Sequence, residues 1–235
     1  MKRTPMLPVA GITCALALAA CGGGNGGSGG ASSDPAALMN GAANSLKTAK
    51  SVHMKGNVTN GGRTIAIDAD IAGSNFSGDM SSNGTSFHIT SVGGLFYITN
   101  AASFLQANIP SAVALVPDNG NGCLSFDAST PGIGQAIGGI AQLTNLSGLA
   151  SSLPGASSVK AGGDTTVNGV SGTVLNASDG STLVVSKDSP PLLLEIKGAQ
   201  GSIDFTNYNS VPSITSPTGC IDLSAVLASA SPSPS

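Results

Sequence analysis

The sequence predicts an α+β fold in which helices cover the concave face of a curved antiparallel sheet. Apolar and polar residues alternate with a period of two in two blocks, residues 51–99 and 165–205, as in strands with one buried face. Between the blocks, residues 130–159 contain no charged residue, and their apolar residues recur at helical steps of three or four. Asn-Gly and Asp-Gly pairs separate alternating runs and are typical of tight hairpins.

The N-terminus has the pattern of a bacterial lipoprotein signal. Lys2 and Arg3 precede an apolar run that ends in Leu18-Ala19-Ala20-Cys21. Small residues before a cysteine permit cleavage there and attachment of a lipid to its thiol. We therefore expect residues 1–20 to be a signal peptide and Cys21 to carry diacylglycerol. The mature chain would then lie on the extracytoplasmic face of the cell membrane.

Residues 21–33 are rich in glycine and serine and predict a flexible tether, with an r.m.s. reach of roughly 20 Å. An ordinary secretory signal and a short transmembrane anchor are the alternatives for the segment before the tether. The apolar run from Val9 to Ala20 is shorter than the roughly 20 residues that span a bilayer, which disfavours the anchor.

Residues 36–50 are predicted to form the first helix. Asp34 can cap its first turn, and Pro35 suits the first helical position because its missing N–H would be unpaired there. Lys47 and Lys50 complement the helix dipole in the last turn. The apolar stripe of this helix consists of Met39, Ala42, Leu46 and Ala49.

The first alternating block, residues 51–99, predicts an antiparallel meander of about five strands with one apolar and one polar face. Asn60-Gly61-Gly62, Gly73-Ser74-Asn75 and Asn83-Gly84 mark its turns. After it, residues 101–116 predict a short helix and an irregular piece around Pro110, and residues 123–126 predict a strand.

Residues 130–159 predict two short helices that lie across the sheet. Their glycines weaken each helix by roughly 1 kcal/mol per residue relative to alanine. A transmembrane span is the alternative, and Pro131, Pro154 and the amides of Gln135, Gln142 and Asn145 disfavour it.

The second β block includes Thr165–Val167 and Val170–Leu175 around Asn168-Gly169, and later strands up to residue 205. Residues 224–235 end in Ser-Pro repeats and predict a disordered tail. A single domain is therefore expected over residues 34–223.

Charge and cysteine content limit the partners and the compartment. Without Lys2 and Arg3 of the signal, the chain has 7 basic and 12 acidic residues. This excess of acidic residues argues against nucleic acid and against binding anionic headgroups by charge alone. Cys123 and Cys220 remain after the signal and Cys21, and we expect them to form a disulfide in an oxidising compartment. A pair of free thiols is the alternative.

No catalytic or metal motif is present in the sequence. His53 and His88 lie inside predicted strands, and Asp68 and Asp70 share one strand face without a third ligand nearby in sequence. The sequence contains no nucleophile elbow, phosphate-binding loop or zinc-protease motif. We therefore expect neither an enzyme nor a cofactor or metal. Two interpretations are left: an apolar pocket between sheet and helices, or a fully packed core. The residues alone favour neither of them.

Several segments besides the signal carry a family resemblance. They are residues 43–56 leading into the first strand, the strand Gly94-Leu-Phe-Tyr97, and a late block made of residues 166–170, 183–185, 190–191 and 203–205. Over most of residues 34–222 the chain resembles the actinobacterial LppX/LprAFG lipoproteins, although Phe104 stands where that family usually has tryptophan. The resemblance implies a LolA-like half-barrel of antiparallel strands, covered by helices over a large apolar cavity. It also implies binding of acylated lipids or lipoglycans and their movement across the envelope.

The resemblance favours a membrane-anchored lipoprotein that binds acylated lipid or glycolipid and carries it within the cell envelope, together with an envelope transport partner. The alternative is a non-enzymatic structural or partner-binding lipoprotein without a ligand cavity. Strand parity and position in the helical segment select the residues expected to line the cavity: Ile65, Ile67, Phe76, Phe87, Phe96, Tyr97, Ile137, Ile140 and Leu143.

Overall fold

The computed structural model describes residues 34–60, 62–82, 84–108, 110–114, 116, 122–130 and 145–230. Its helices are α1 Pro35–Thr48, α2 Ala101–Asn108, α3 Pro110–Val113, α4 Leu146–Ser152 and α5 Leu223–Ala230, with a 3₁₀ turn at Ala156–Ser158. Its first strands are β1 Ser51–Asn60, β2 Arg63–Ala72, β3 Asn75–Ser82, β4 Thr85–Val92, β5 Leu95–Thr99 and β6 Leu124–Phe126. The later strands are β7 Val159–Val167, β8 Val170–Ala177, β9 Thr182–Ser186, β10 Leu193–Gly198, β11 Gly201–Thr206 and β12 Ile221–Asp222.

The described strands form one sheet of 12 strands in the order β12-β6-β5-β4-β3-β2-β1-β11-β10-β9-β8-β7. Strands β12 and β6 pair parallel, whereas the other described pairs are antiparallel. Because β12 and β7 end the sheet without pairing to each other, the sheet is an open half-barrel. One face packs with the helices into the core, which confirms the predicted α+β half-barrel with helices on its concave face.

Helix α1 forms as predicted at its N-terminus. Both carboxylate oxygens of Asp34 accept hydrogen bonds, from the backbone N–H groups of Ala36 and Ala37 at 3.3 Å, and Pro35 occupies the first turn. The helix ends at Thr48, so that Ala49 is its C-cap and Lys50 lies outside it. Its buried residues are Leu38, Met39, Ala42 and Leu46. Through them α1 packs on α4, on the 3₁₀ turn and on strands β7, β9 and β10.

The meander of residues 51–99 is present as β1 to β5, but the second β block begins earlier than predicted. Strand β7 starts at Val159 rather than near Thr165, because its glycines and charged residues hide its alternation in the sequence. The hairpin at Asn168-Gly169 has the expected form. Both residues have positive φ angles, 48° and 82°, as a two-residue turn between right-twisted strands requires.

Residues 207–220, which we call the strap, cross one end of the half-barrel from β11 to the neighbourhood of β6. The N–H of Asn209 donates to the Ser51 carbonyl at 2.9 Å, and the N–H of Val211 donates to the Ser51 hydroxyl at 3.1 Å. The strap ends at the Cys123–Cys220 disulfide, whose Cα atoms are 4.5 Å apart, and this confirms the predicted pairing. The strap therefore covers the end of the sheet where β1 begins, and the disulfide holds its far end.

Tyr208, at the start of the strap, is largely buried and donates its hydroxyl hydrogen to the Leu193 carbonyl at 2.8 Å. Burial raises the pKa of Tyr208 well above its ordinary value. Stability from the neutral phenol is therefore fully present below the unfolded pKa of about 10. It is lost above that pH, because the unfolded chain ionises first.

Tyr208→Phe is expected to lower the free energy of unfolding at pH 7 by about 1 kcal/mol, since one hydrogen bond is lost. It should also reduce the loss of stability between about pH 10 and 11. Urea unfolding at pH 7, 9 and 11 measures both effects, with Tyr97→Phe as the matched control. Equal alkaline losses in the wild-type protein and in Tyr208→Phe would contradict this interpretation.

The prediction of a disordered tail from residue 224 is wrong for residues 224–230, which belong to helix α5. Asp222 provides a cap, because its Oδ1 accepts from the N–H groups of Ser224 at 2.9 Å and Ala225 at 3.4 Å. Leu223 is fully buried in the core. The apolar residues before the Ser-Pro ending thus have a core to pack on, and residues 231–235 lie outside the described residues.

Two glycines permit a close approach between neighbouring strands. A Cβ at Gly56 in β1 would overlap the backbone of Ser202 and Ile203 in β11, and a Cβ at Gly78 in β3 would overlap Ala69 in β2. Glycine inside a strand is typical of a tight bend or of a close approach between backbones. Since both glycines face the core, they let neighbouring strands close toward each other on the concave side.

Gly56→Ala is expected to lower the free energy of unfolding by about 2 kcal/mol, because the added methyl forces the backbones of β1 and β11 apart. Gly163→Ala is the control. Gly163 also lies in a strand, but a Cβ there would meet no atom within 4 Å. That change should be neutral or stabilise by about 0.5 kcal/mol. Denaturant titration measures both, and equal effects of the two substitutions would contradict the proposed role of Gly56.

Candidate functional site

The concave face is built from alternate residues of the central strands. Val52, Met54, Gly56 and Val58 share this face of β1 because side chains alternate along a strand. Strand pairing extends these positions into rows across the sheet. One row runs through Ile196, Ile203, Gly56, Ile67, Met80 and Phe87. The next row toward the hairpins contains Gly198, Gly201, Val58 and Ile65.

Burial on the concave face falls from the strap end of β1 toward its opposite end. Val52 and Met54 are fully buried, and so are Ile71 and Phe76, which lie in the same row as Val52. By contrast, Val58 is only partly buried at the hairpin end of β1. Four other apolar residues near that end are also partly buried: Ile65, Phe87, Ile196 and Ile203. Among the described residues, the concave face is therefore fully buried at the strap end and only partly buried at the hairpin end.

A pocket of about 220 Å³ opens at the hairpin end, and we call it the hairpin pocket. Its apolar lining consists of Val58 of β1, Ile196 of β10 and Ile203 of β11. Gly198, Gln200, Gly201 and Ser202 form the rest of the lining at the β10–β11 turn. An apolar pocket with a few polar groups at its edge is the usual form of a small-molecule site, although this volume is below the roughly 300–1,000 Å³ of a complete ligand pocket.

The residues predicted to line a cavity divide into four groups in the structure. Ile65 and Phe87 lie on the concave face and are partly buried near the hairpin end. Ile67, Phe76 and Phe96 lie on the same face but are packed into the core, with exposures of 5%, 0% and 4%. Ile137, Ile140 and Leu143 lie outside the described residues.

Tyr97 forms the fourth group. The prediction that it lines the cavity is wrong, because its side chain faces away from the concave side. Its neighbours Phe96 and Ile98 are the buried residues of β5, and adjacent strand residues point to opposite faces. In the sheet, Tyr97 pairs with Thr90, whose hydroxyl lies 3.1 Å from that of Ser77. Tyr97 therefore belongs to the polar outer face and does not line the cavity.

Sequence reasoning missed Val58, Ile196 and Ile203 as a group. Each lies in a predicted strand, and alternation alone places each on an apolar face. The missing information was that β1 pairs with β11, which brings residues 58 and 201 together across the sheet. Pairing over that distance leaves no local signal in the chain.

Aromatic rings form one wall of the core beside the concave face. Phe87 of β4 contacts Phe104 of α2 edge to face, with ring centroids 5.4 Å apart. Phe104 also stacks on Phe126 at 6.3 Å, and Phe126 stacks on Phe96 at 6.0 Å. Phe104 thus connects helix α2 to β4 and β6, and Phe126 extends the wall to Phe96 of β5. The partly buried Phe87 continues this wall toward the hairpin end.

The outer face carries most of the ionisable groups of the central strands. His53 lies between two carboxylates, with Nδ1 at 2.8 Å from Asp70 and Nε2 at 3.3 Å from Asp68. His88 Nδ1 lies 2.9 Å from Asp79. In the described part of the chain, no three His, Cys, Asp or Glu side chains are arranged to hold a metal ion. These groups face away from the hairpin pocket, so the pocket offers shape and apolar surface rather than acid–base chemistry.

In the same part of the chain, no helix combines the length and the hydropathy that are required to cross a bilayer.

No protein-family model matches the chain, and no curated protein matches it in sequence. Solved structures do match. The structure of LprF from Mycobacterium bovis aligns with 81% of this chain and 100% of its own, with a TM-score of 0.53 and 16% sequence identity. The structure of a DUF1329 family protein from Desulfovibrio piger aligns with 77% of this chain and 95% of its own at 13% sequence identity. Its TM-score of 0.24 is too low to show a shared fold. The chain has the fold of LprF, which confirms, at the level of fold, the resemblance to the LppX/LprAFG lipoproteins.

Proposed function

We propose that the protein is a membrane-anchored lipoprotein that binds an acylated lipid or glycolipid on its concave face and carries it within the cell envelope. The observation that supports this most is the incomplete cover of the concave face at the hairpin end. There, partly buried Val58, Ile196 and Ile203 surround an open apolar pocket. An acyl chain that enters the pocket gains about 0.8 kcal/mol per buried methylene.

The one-sided closure of the half-barrel supports a single route for the lipid. The strap and the disulfide cover the end of the sheet where β1 begins, and the rows next to it are fully buried. An acyl chain therefore enters from the hairpin end and extends toward the aromatic wall. No bond is made or broken in this function, so it needs no cofactor.

In this proposal the lipoprotein signal determines where the carrier works. A lipid on Cys21 and a tether over residues 21–33 hold the domain within roughly 20 Å of the bilayer, close to a source of lipid. The carrier would hand its lipid to a partner in the envelope. The second candidate is a structural or partner-binding lipoprotein, which the fully buried rows near the strap favour.

Cys21→Ser is expected to release the protein from the membrane and to leave lipid binding unchanged, because the anchor and the pocket are separate. Fractionation of cells that express the wild-type protein or the variant measures the release. Transfer of a fluorescent acylated lipid between vesicles measures carriage. The soluble variant should transfer the lipid between vesicles, whereas failure to accelerate transfer above the spontaneous rate would contradict a carrier and favour the second candidate.

A further inference from the structure

A second depression lies on the outer face of the sheet and plays no part in the lipid-binding proposal. It has a volume of about 310 Å³ and crosses strands β1 to β4. Its floor contains a row of short side chains in register, Asn57, Ala66, Ser81 and Ser86. Three spacings between strands give this row a length of about 14 Å. Gly56, Ile67 and Met80 also contribute to the lining, although the side chains of Ile67 and Met80 belong to the concave face. We call this depression the outer trough.

A row of longer side chains forms one side of the outer trough. Lys55, Asp68 and Asp79 occupy successive strands there and are in register. On the other side, Thr59 and Thr64 pair, with their hydroxyl oxygens 2.9 Å apart. The trough is therefore open along its length and bounded on both sides by polar groups, a shape that suits a linear chain rather than a compact molecule.

The charged side chains beside the outer trough have polar partners. Lys55 Nζ donates to Asp68 Oδ2 at 2.6 Å, and His88 lies 2.9 Å from Asp79. The hydrogen bond to Asp68, together with the charge of that carboxylate, raises the pKa of Lys55. Asp68 and Asp79 nevertheless lie directly opposite each other on β2 and β3, an arrangement of like charges that destabilises a sheet.

This combination of groups selects a class of ligand. The two neighbouring carboxylates repel anions such as phosphate, and Lys55 opposes a cation. The floor offers both donors and acceptors from Asn57, Ser81 and Ser86. Among the described residues, the side chains of these three have no hydrogen-bond partner, so they are available to a ligand. Neutral hydroxyl groups, which both donate and accept, match this set.

We propose that the outer trough binds a neutral, hydroxyl-rich oligosaccharide. The glycan can be free in the envelope or can be the head of the acylated ligand, and only the second source rests on the proposed lipid-carrier function. The hairpin pocket and the outer trough lie on opposite faces of the same end of β1, where Val58 lines one and Asn57 lines the other. A glycolipid with several sugars can reach both by passing over the β1–β2 hairpin.

The test uses the complete mature protein with Cys21→Ser and two kinds of probe. Maltohexaose and mannohexaose, which are neutral and linear, are titrated while the backbone amide signals are followed by NMR. A diglycosyl dipalmitoylglycerol and dipalmitoylglycerol are compared in a lipid-binding assay. Ser81→Tyr fills the floor of the trough, and Ser171→Tyr places the same side chain on an exposed position of β8 as the control.

If a free oligosaccharide binds, shifts should be confined to outer-face residues of β1–β4, and Ser81→Tyr should weaken binding at least about tenfold while Ser171→Tyr does not. If the glycan acts as a headgroup, Ser81→Tyr should weaken binding of the glycosylated lipid by a similar factor. Its affinity for dipalmitoylglycerol should stay unchanged. If neither oligosaccharide binds and Ser81→Tyr affects both lipids equally or not at all, the proposal is overturned. Binding of dipalmitoylglycerol by the wild-type protein reports separately on the lipid-carrier function.

Discussion

Val58→Trp is expected to abolish most of the binding of an acyl chain. Val58 lines the hairpin pocket together with Ile196 and Ile203, and the indole fills the volume that the chain would occupy. If it excludes four methylenes, about 3 kcal/mol of apolar burial is lost, which lowers the affinity roughly a hundredfold. Because Val58 is only partly buried at the open end of β1, the larger side chain can be accommodated without rearranging the core.

Val170→Trp is the matched control for this variant. Val170 also lies in a strand next to a hairpin, but it is 38% exposed and lines neither the hairpin pocket nor the outer trough. Displacement of a fluorescent fatty acid measures the affinity of both variants, and thermal unfolding establishes that both are folded. Equal affinities of Val58→Trp and the wild-type protein would place the acyl chain elsewhere.

Removal of the disulfide through Cys123→Ser and Cys220→Ser is expected to cause the largest loss of stability. The bond closes a loop over a sequence separation of 97, for which the chain-entropy estimate is about 4.7 kcal/mol. We expect a loss of about 4 kcal/mol, which lowers the midpoint of thermal unfolding by roughly 10 °C for a domain of this size. The strap should also lose protection, because its remaining contacts near β1 and β3 are few hydrogen bonds.

Denaturant titration measures this stability, and hydrogen exchange measures the protection of the strap at Asn209 and Val211. Reducing agent should destabilise the wild-type protein by the same amount and leave the double variant unchanged. A loss below about 1 kcal/mol would show that the strap is held by its other contacts, and the disulfide would then not close that end of the half-barrel.

Local patterns predicted much of the fold, and long-range pairing explains most of what they missed. The alternation of residues 51–99 specifies β1 to β5 and their buried face, because each hairpin joins neighbouring strands. The contact of β1 with β11 joins residues 53–58 to residues 201–206, and no local feature encodes it. The hairpin pocket lies at that junction, so its lining could not be chosen from the sequence.

The errors at Tyr97 and in the tail have local causes. Leu95-Phe96-Tyr97-Ile98 is apolar throughout, so alternation could not show which of its residues face the core. Only the register with β4 and β6 decides this. In the tail, the Ser-Pro ending predicted disorder, whereas the cap at Asp222 and the apolar residues that follow it indicate a helix. The burial of Leu223 in the core depends on the pairing of β12 with β6, which is distant in the sequence.

Native mass spectrometry of the Cys21→Ser protein, purified without detergent, tests the central claim most directly. The account predicts that a fraction of the protein carries one acylated lipid, that added lipid raises this fraction, and that denaturation releases the lipid for identification. Val170→Trp should behave in the same way, whereas Val58→Trp should show the mass of the bare chain. A bare mass for the wild-type protein, even with excess acylated lipid, would contradict lipid binding by the concave face.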